Sequence, residues 1–435
     1  MKRSIITLVL AGLLVLAAAS LFLDSQGNFS LLYEGKRLMG LFAMVLLTFQ
    51  VFLASRLPLL ERGFGQDRLL GYHRLVGIGV LVTALIHGVF DIIFQLSVYG
   101  SLMLYFPGDL PKLLGSFTLV LLLLVAIPAL LRGSIAISYD SWRRIHRIGF
   151  FLVPLMLIHS LVLGTTIRYQ PLALALWIGC AGLYGVSLGY RLVIQIRKNR
   201  DPYLVESVHR ETHDVVSIRA AGKRKDFLPG QFMLVQIKKA GKKSPVHPFT
   251  ISAPPSSEEL RFSVKAIGDF SGEDIPDLTV GDELVLEGPY GWFSHVRFPL
   301  SAPLLFIAGG IGITPFLSML AFLAEHDPDR RVMLVWGNKE PKDAGFQDEL
   351  VRYKSSMRAL SVLHVFSHST DNHEVLSDPW VSGFVTTELL NTRLTDLDSW
   401  GVMLCGPPVM MKKLVPDLLA AGVEKKNLLY ERFDF

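Results

Sequence analysis

Apolar residues are concentrated in the first part of the chain, where they form six long segments. Each segment is close to the roughly 20 residues that an α-helix needs to cross the hydrocarbon of a bilayer. Because lipid offers no hydrogen-bond partner for open backbone groups, only helices suit such segments. The predicted spans are residues 5–23, 38–54, 73–96, 113–131, 146–164 and 171–195. This part is therefore predicted to be an all-α domain of six transmembrane helices.

The pattern of apolar positions changes near residue 203. Short runs such as FMLVQI (232–237) and DELVLEGPYG (282–291), with turn residues between them, are typical of a small antiparallel β-barrel. Farther on, the strand PLLFIAGG (303–310) leads into a helix and then the strand RVMLVWGN (331–338), which implies a parallel α/β sheet. The predicted domains are a six-span membrane domain at 1–200, a β-barrel domain at 201–300 and an α/β domain at 301–435.

Composition and charge support a membrane protein and predict its orientation. Hydrophobic residues make up 51% of the chain, too many for an ordinary soluble protein, and the net charge of +5 does not suggest nucleic-acid binding. The basic residues that flank the apolar segments are Arg56, Arg62, Arg68, Arg74, Arg143, Arg144, Arg147, Arg197, Lys198 and Arg200. Cytoplasmic flanks carry such an excess, so both termini and the C-terminal half are predicted to be cytoplasmic. Residues 1–23 are predicted to be a retained span, with a cleaved signal peptide as the alternative.

The two cysteines, Cys180 and Cys405, lie in different halves of the chain. This count excludes a disulfide framework, a CxxC zinc site and a CxxCH haem attachment. Any haem must therefore be held without a covalent bond.

Four of the twelve histidines lie in the predicted spans, in two pairs. His73 and His87 are fourteen residues apart on the third span, and His146 and His159 are thirteen apart on the fifth. At about 1.5 Å per residue, each pair covers roughly 20 Å of its helix. Since both helices run in the same direction, we expect His73 to face His146 and His87 to face His159.

Two opposed imidazoles suit a haem iron that transfers electrons without binding a ligand. We therefore interpret the histidines as two bis-imidazole sites stacked along the membrane normal. For a single intramembrane histidine, a hydrogen-bonded helix contact or a proton relay is the more common role. One geometric objection remains, because thirteen residues leave His159 well off the helix face of His146. A distortion at Pro154 is the candidate remedy.

A second group of motifs lies in the predicted barrel. In HPFTIS (247–252) an aromatic residue precedes a hydroxyl, which suits the edge of a flavin ring, although a plain strand and turn also fits. In the loop after it, backbone amides and Lys265 are suited to holding a pyrophosphate. The candidate flavin-binding residues are His247, Pro248, Phe249, Thr250, Ile251, Ser252, Val264, Lys265, Gly268 and Ser271.

The strongest local motif is AGGIGITP (308–315), which follows an apolar strand and opens a helix. Missing side chains let the backbone approach a phosphate, and the helix N-terminus adds positive potential. The candidate nucleotide-binding residues are Gly309, Gly310, Ile311, Gly312, Thr314 and Pro315.

Two more candidate sites lie near the end of the chain. Cys405, Gly406 and Pro407 end another strand, where ligands of open α/β sheets bind, and a small thiol there suits a nicotinamide ring. A buried core cysteine is the alternative. The terminal aromatic Phe433 is a candidate to cover a flavin face.

In this order, HPFTIS, VKxxGD, GGIGITP, CGPP and a terminal aromatic resemble the ferredoxin–NADP reductase module. Placed after six spans with paired histidines, that module makes the chain similar to the NADPH oxidase and ferric reductase superfamily. It most closely resembles the prokaryotic NADPH oxidases, through segments such as SRLPLLE (55–61), WRRIHR (142–147) and YERFDF (430–435).

The resemblance implies FAD, two b-type haems and NADPH or NADH as cofactors. It implies that His73 and His146 (the inner pair) and His87 and His159 (the outer pair) each hold one haem. It also places Thr250, Cys405 and Phe433 at the site of hydride transfer, with Phe433 shielding the flavin until nicotinamide displaces it. The segment Trp336-Gly337-Asn338-Lys339 lacks the arginine of NADP-selective members, so the nucleotide preference is left open.

The implied activity is electron transfer from cytosolic NAD(P)H, through FAD and the haems, to an acceptor outside the membrane. The favoured acceptor is O2, giving superoxide, and a ferric chelate is the alternative. Two other classes of function are a transporter whose histidines relay protons and an anchored reductase that serves a cytosolic partner. No obligatory protein partner is evident.

Overall fold

A computed structural model of the chain describes residues 2–24, 31–57, 60, 64, 66–99, 110–132, 134, 137, 139–223, 225–239, 242–368 and 378–432. Its contacts divide the chain into two units, Met1–Gln195 and Ile196–Phe435.

The first unit is built from α-helices. They are α1 (Lys2–Asp24), α2 (Leu31–Leu53), α3 (Gln66–Tyr99), α4 (Leu110–Leu130), α5 (Tyr139–Arg147), α6 (Leu152–Leu163), α7 (Thr165–Tyr169) and α8 (Pro171–Arg200), the last continuing into the second unit. Among the described residues, six spans are long and apolar enough to cross a membrane, the fifth consisting of α5, a 3₁₀ turn and α6. Many of their large apolar side chains are exposed, for example Phe22 at 73% and Phe117 at 57%. Such surfaces suit contact with lipid, so the predicted six-helix membrane domain is confirmed.

The second unit begins with an antiparallel β-barrel. Its strands are β1 (Tyr203–Arg210), β2 (Val215–Ala221), β3 (Phe232–Lys239), β4 (Lys242–Lys243), β5 (His247–Thr250), β6 (Leu260–Lys265) and β7 (Glu283–Tyr290). They are ordered β4-β3-β7-β1-β2-β6, with β5 paired to β3. Alternate apolar side chains, such as the fully buried Phe262, Met233 and Leu284, fill its core. The predicted barrel is confirmed.

A parallel sheet follows. It consists of β8 (Leu304–Gly309), β9 (Val332–Asn338), β10 (Leu360–Phe366), β11 (Trp380–Ser382), β12 (Gly401–Gly406) and β13 (Leu428–Arg432), in the order β11-β10-β9-β8-β12-β13. The helices of this part are α9 (Thr314–His326), α10 (Gln347–Ser356), α11 (Thr387–Arg393) and α12 (Pro408–Ala420). Every residue of β8 and of β12 is buried, as expected of central strands covered on both faces. The predicted parallel α/β domain is confirmed.

Buried polar contacts join the barrel to the α/β part within this unit. The guanidinium of Arg261 on β6 forms an ion pair with Glu349 on α10, including a bond from Nη2 to Oε2 of 3.1 Å. The hydroxyl of Ser318 on α9 donates to the carbonyl of Ala253 at 2.6 Å. Because a buried ion pair is costly to break, these contacts fix the two parts relative to each other.

Candidate functional site

The four intramembrane histidines lie in two opposed pairs in the first unit. The ring centroids of His73 and His146 are 5.9 Å apart, and their planes cross at 76°. Those of His87 and His159 are 6.5 Å apart, with planes crossing at 83°. The structure therefore brings each histidine of α3 to the partner that the spacing predicts for it.

The unequal spacing of the histidines is compensated by a short 3₁₀ segment, Ile148–Phe151, between α5 and α6. An α-helix turns by about 100° per residue and a 3₁₀-helix by about 120°. Four residues of 3₁₀-helix therefore leave His159 about 60° from the face of His146, instead of about 140°. The corresponding angle between His73 and His87 on a continuous helix is about 40°.

The same segment also equalises the distance along the two helices. Since a 3₁₀-helix rises by about 2.0 Å per residue, both intervals become about 21 Å. The predicted distortion is present, but its main element is this 3₁₀ segment. Pro154 lies just after it, in the first turn of α6, where a missing N–H breaks no hydrogen bond.

Backbone carbonyls of α2 orient the two histidines of α3. Nδ1 of His73 lies 3.2 Å from the carbonyl oxygen of Gln50, and Nδ1 of His87 lies 2.7 Å from that of Lys36. A carbonyl only accepts, so Nδ1 of each ring must carry the proton. Nε2 is then left with a free lone pair, which is the arrangement that metal-ligating histidines adopt.

Two glycines provide the space in which the imidazoles of the outer pair lie. A Cβ atom on Gly115 of α4 would lie 2.4 Å from Cε1 of His159. A Cβ atom on Gly40 of α2 would lie 3.1 Å from both Cε1 and Nδ1 of His87. Sequence reasoning missed both glycines, because a helical glycine that admits a neighbouring side chain has no distinguishing local pattern.

The donor set of these pairs fits haem. Two imidazoles that bind one metal ion from opposite sides, with metal–nitrogen bonds of about 2 Å, have ring centroids roughly 6 Å apart. Both observed distances agree with this value. The described residues contain no group of three or more His, Cys, Asp or Glu side chains suited to a metal ion. Two protein ligands suffice where a porphyrin supplies the equatorial nitrogens, so haem suits the site better than a bare ion.

The candidate flavin residues are arranged along β5 and the loop after β6. The ring of Phe270, which the sequence did not single out, stacks on His247 at 4.1 Å between centroids and 12° between planes. The ring of Phe249 is parallel to that of Phe270, with centroids 6.1 Å apart. Aromatic faces of this kind stack on planar ligands. Thr250 ends β5 and is buried, and Pro248 pairs with Leu234 of β3.

Other candidates in this group serve the barrel itself. Ile251, Ser252 and Val264 are buried in it, and the Ser252 hydroxyl is 2.9 Å from that of Ser263. In the loop after β6, the Ser271 hydroxyl accepts from the backbone N–H groups of Ile267 and Gly268 at 3.0 and 3.1 Å. These hydroxyls are therefore engaged within the protein.

Lys265 carries a charge that the protein already balances. Its ammonium lies 3.0 Å from a carboxylate oxygen of Asp214. Burial opposes ionisation of Asp214, but hydrogen bonds from Lys265 and Thr212 outweigh it and lower the pKa of that carboxyl. The loop is therefore less positive than its sequence suggests.

The glycine-rich turn and the Cys405 segment meet at the switch point of the parallel sheet. On one side of β8 the sheet continues with β9, β10 and β11, and on the other side with β12 and β13. Ligands of open α/β sheets bind at such a point, where the strand order reverses. Gly310 has φ +53°, a conformation that favours glycine. A Cβ atom on Gly312 would lie 2.3 Å from the carbonyl oxygen of Cys405, and Gly406 packs against Gly309.

The helix after this turn begins as the sequence predicts. Pro315 lies in the first turn of α9, and the Thr314 hydroxyl donates to the carbonyl of Ile311 at 3.1 Å. Pro407 occupies the N-cap position of α12, the helix that follows β12. The buried Trp336 of β9, which sequence reasoning did not single out, donates from Nε1 to the carbonyl of Gly310 at 2.9 Å.

Cys405 is fully buried on β12, opposite Glu431 of β13. Burial, reinforced by the nearby carboxylate of Glu431, raises the pKa of the Cys405 thiol well above its ordinary value. The thiol is therefore neutral at physiological pH. Phe433, the predicted flavin shield, lies outside the described residues.

Three family models match consecutive parts of the chain. Residues 39–157 match a ferric reductase like transmembrane component, residues 202–294 an FAD-binding domain, and residues 306–415 an oxidoreductase NAD-binding domain. The chain has the domain architecture of the NADPH oxidase and ferric reductase superfamily. It is thus a multi-pass membrane oxidoreductase with FAD- and NAD-binding domains.

Characterised relatives share part of this architecture. The reductase component of propane 2-monooxygenase from Rhodococcus jostii is 29% identical over 232 residues, covering 53% of this chain and 62% of that protein. A flavohemoprotein of Bacillus anthracis is 27% identical over 255 residues, covering 56% of this chain and 61% of that protein. The match thus spans less than two thirds of either relative.

Among solved structures, the flavohemoglobin of Malassezia yamatoensis with bound FAD and heme has a TM-score of 0.49 at 16% identity, covering 93% of this chain and 96% of that one. A cytochrome P450 reductase of Amycolatopsis has a TM-score of 0.47 at 21% identity, covering 54% and 70%.

Proposed function

We propose that the protein transfers electrons from cytosolic NAD(P)H, by way of FAD and two b-type haems, to an acceptor on the other side of the membrane. The observation that carries the proposal is the presence of two opposed imidazole pairs in the membrane unit of a chain with FAD- and NAD-binding domains. When bound, the flavin exchanges hydride for single electrons and the haems carry them.

Residues of the α/β part are assigned to the nucleotide. The turn Gly309–Gly312 brings backbone N–H groups and the start of α9 to the switch point, where they would hold the pyrophosphate. Cys405 and Gly406 lie beside this turn, and we assign them to the nicotinamide. The buried Cys405 thiol is neutral, so it would place no negative charge beside the nicotinamide ring.

In the barrel, we assign β5 and the loop after β6 to FAD. Phe249 and Thr250 would meet the flavin ring and its ribityl chain, while His247 is held in place by its stacking on Phe270. Lys265 and the backbone of Gly268 would meet the pyrophosphate.

In the membrane unit, the inner pair and the outer pair would each hold one haem. The two pairs are about 21 Å apart along α3, which covers most of the apolar layer. His87 and His159 would hold the outer haem from opposite sides, so this site would offer no open position for a ligand. An acceptor would therefore receive electrons at the periphery of the site.

O2, yielding superoxide, is the favoured acceptor because the sequence motifs resemble those of prokaryotic NADPH oxidases. Reduction of a ferric chelate is the second candidate, and the match of residues 39–157 to a ferric reductase component favours it. Both use the same electron path and differ only in the acceptor.

The decisive experiment uses the purified full-length protein in detergent under argon. NADPH or NADH is added and the haem bands are followed optically; we expect flavin and haem reduction in sequence. Air or a ferric chelate is then admitted, and superoxide dismutase-sensitive reduction of cytochrome c is compared with formation of ferrous chelate. Protein without a Soret band, or haems that NAD(P)H does not reduce, would disprove the proposal.

A further inference from the structure

The two histidines of α3 are held by the same construction, repeated along α2. Lys36 and Gln50 are fourteen residues apart on α2, as His87 and His73 are on α3. Each α2 residue offers its backbone carbonyl to Nδ1 of one imidazole. Because the spacing is the same on both helices, the two contacts are equivalent by position.

The repetition extends to side chains. Each α2 residue also reaches the α3 residue four positions after the histidine. The amide of Gln50 lies over Gly77, where a Cβ atom would be 2.6 Å from its Nε2. The ammonium of Lys36 lies 2.8 Å from the carboxylate of Asp91. We call Gln50, His73 and Gly77 the inner clamp, and Lys36, His87 and Asp91 the outer clamp. The inner clamp is neutral and the outer one ionic.

The charges of the outer clamp are unusual for their position. Both lie within helices of the structure that are long and apolar enough to cross a membrane, where ionisable groups are costly. The side chains of Lys36 and Asp91 are only 18% and 23% exposed, and the ammonium is also 4.6 Å from the ring centroid of Phe94. The pair is therefore partly shielded from water, which strengthens its attraction.

Neutralisation of Lys36 and Asp91 by each other does not by itself explain why the ion pair lies beside His87. Glu34 and Arg37, on the same turn of α2, form another ion pair with a distance of 3.1 Å. Arg37 also donates from Nε to the hydroxyl of Thr166 at 2.7 Å, whereas the carbonyl of Lys36 lies 2.7 Å from Nδ1 of His87. The carbonyl of Lys36 is accessible because Gly40, four residues on, presents no side chain to His87.

We propose that Lys36 and Asp91 are positioning residues for the outer pair. Their ion pair fixes the turn of α2 whose carbonyl holds the proton on Nδ1 of His87 and thereby aims Nε2 at His159. The inference rests on the proposed function, since it assigns haem to that pair. Loss of such a supporting contact typically weakens metal binding by about 10- to 100-fold.

The test compares five variants of the full-length protein. Asp91→Asn removes one charge. The double variant Lys36→Met/Asp91→Leu removes both, so that no unpaired charge is left to prevent folding. Glu34→Gln is the matched control, because it breaks an ion pair on the same turn without touching a histidine. His87→Ala identifies the signal of the outer haem.

Haem per chain is measured as the pyridine haemochrome, and the ligand field of each site is read from the low-spin ferric EPR signal. We expect Asp91→Asn and the double variant to lose or shift the outer signal while keeping the inner one. Glu34→Gln should retain both signals, and Lys36→Arg, which keeps the positive charge, should leave the outer signal at the wild-type position.

A double variant with wild-type EPR signals would show that the Lys36–Asp91 ion pair does not position the outer pair, and the proposal would be wrong. An equal change in Glu34→Gln would also overturn it, since the effect would then belong to any charge on that turn. Failure of the proposed function has a different signature, which is wild-type protein that contains no haem.

Discussion

Replacing Gly115 by alanine tests the outer pair most directly. The new Cβ atom would lie 2.4, 2.8 and 3.0 Å from Cε1, Nδ1 and Nε2 of His159. Ordinary van der Waals contact begins at 3.4 Å, so the imidazole must retreat by about 1 Å from its position. The clash involves a ring between two packed helices, which leaves it little room to turn.

The size of this displacement decides the expected result. Metal–imidazole bonds are about 2 Å long and vary by only about 0.2 Å, so a retreat five times as large breaks the bond. We therefore expect Gly115→Ala to lose the outer haem and keep the inner one. The haemochrome content per chain should fall by about half while the FAD content is unchanged.

Two further substitutions provide a graded series. At Gly40 the new atom would lie 3.1 Å from the ring of His87, which requires a shift of a few tenths of an ångström. At Gly79, between the two histidines of α3, the nearest atom is 3.4 Å away, on the flexible side chain of Leu46. Haem content should therefore fall in the order Gly79→Ala, Gly40→Ala, Gly115→Ala, with the first close to wild type. Full haem content and unchanged spectra in Gly115→Ala would refute ligation by His159.

Three other outcomes follow from the second unit. Trp336→Phe keeps an aromatic ring but loses the bond to Gly310. Stopped-flow flavin reduction should therefore show the Kd for NAD(P)H raised about fivefold at an unchanged limiting rate, as a loss of about 1 kcal/mol implies. Glu349→Gln leaves its buried arginine partner unpaired and should lower the free energy of unfolding in urea by about 3–5 kcal/mol. Burial and the positive charge of Arg330 lower the pKa of His295 to about 4. As the pH falls, the unfolded chain therefore takes up this proton before the folded protein does. The free energy of unfolding should be constant above about pH 6.5 and should decrease by up to about 3 kcal/mol toward pH 4. Urea titrations of His295→Gln should show a smaller decrease.

Features that depend on residue type were predictable from the sequence. Apolar runs of span length, histidines inside them and a glycine-rich turn between strand and helix each have a physical cause that is visible in one dimension. The spacing of His73, His87, His146 and His159 also predicted which rings meet. The parallel orientation of the strands in the second sheet followed from the alternation of strand and helix.

Features that depend on backbone atoms were not predictable in this way. Any residue can offer a carbonyl, so nothing in the letters of Lys36 or Gln50 distinguishes them as partners of an imidazole. Gly40 and Gly115 are two of 37 glycines, and their role depends on which helix packs beside them. The 3₁₀ segment has the apolar sequence IGFF, which is equally compatible with an α-helix.

These hidden features distinguish electron transfer from a proton relay. A relay histidine must release and accept protons at both ring nitrogens, whereas Nδ1 of His73 and of His87 is committed to a carbonyl of α2. A 3₁₀ segment gives up good hydrogen-bond geometry, and here it sets both the rotation and the rise that bring His159 to its partner. A relay along one helix requires no such matching of two helices. Two opposed ring pairs on two helices do require it, which supports the proposal that a metal ion lies between the rings.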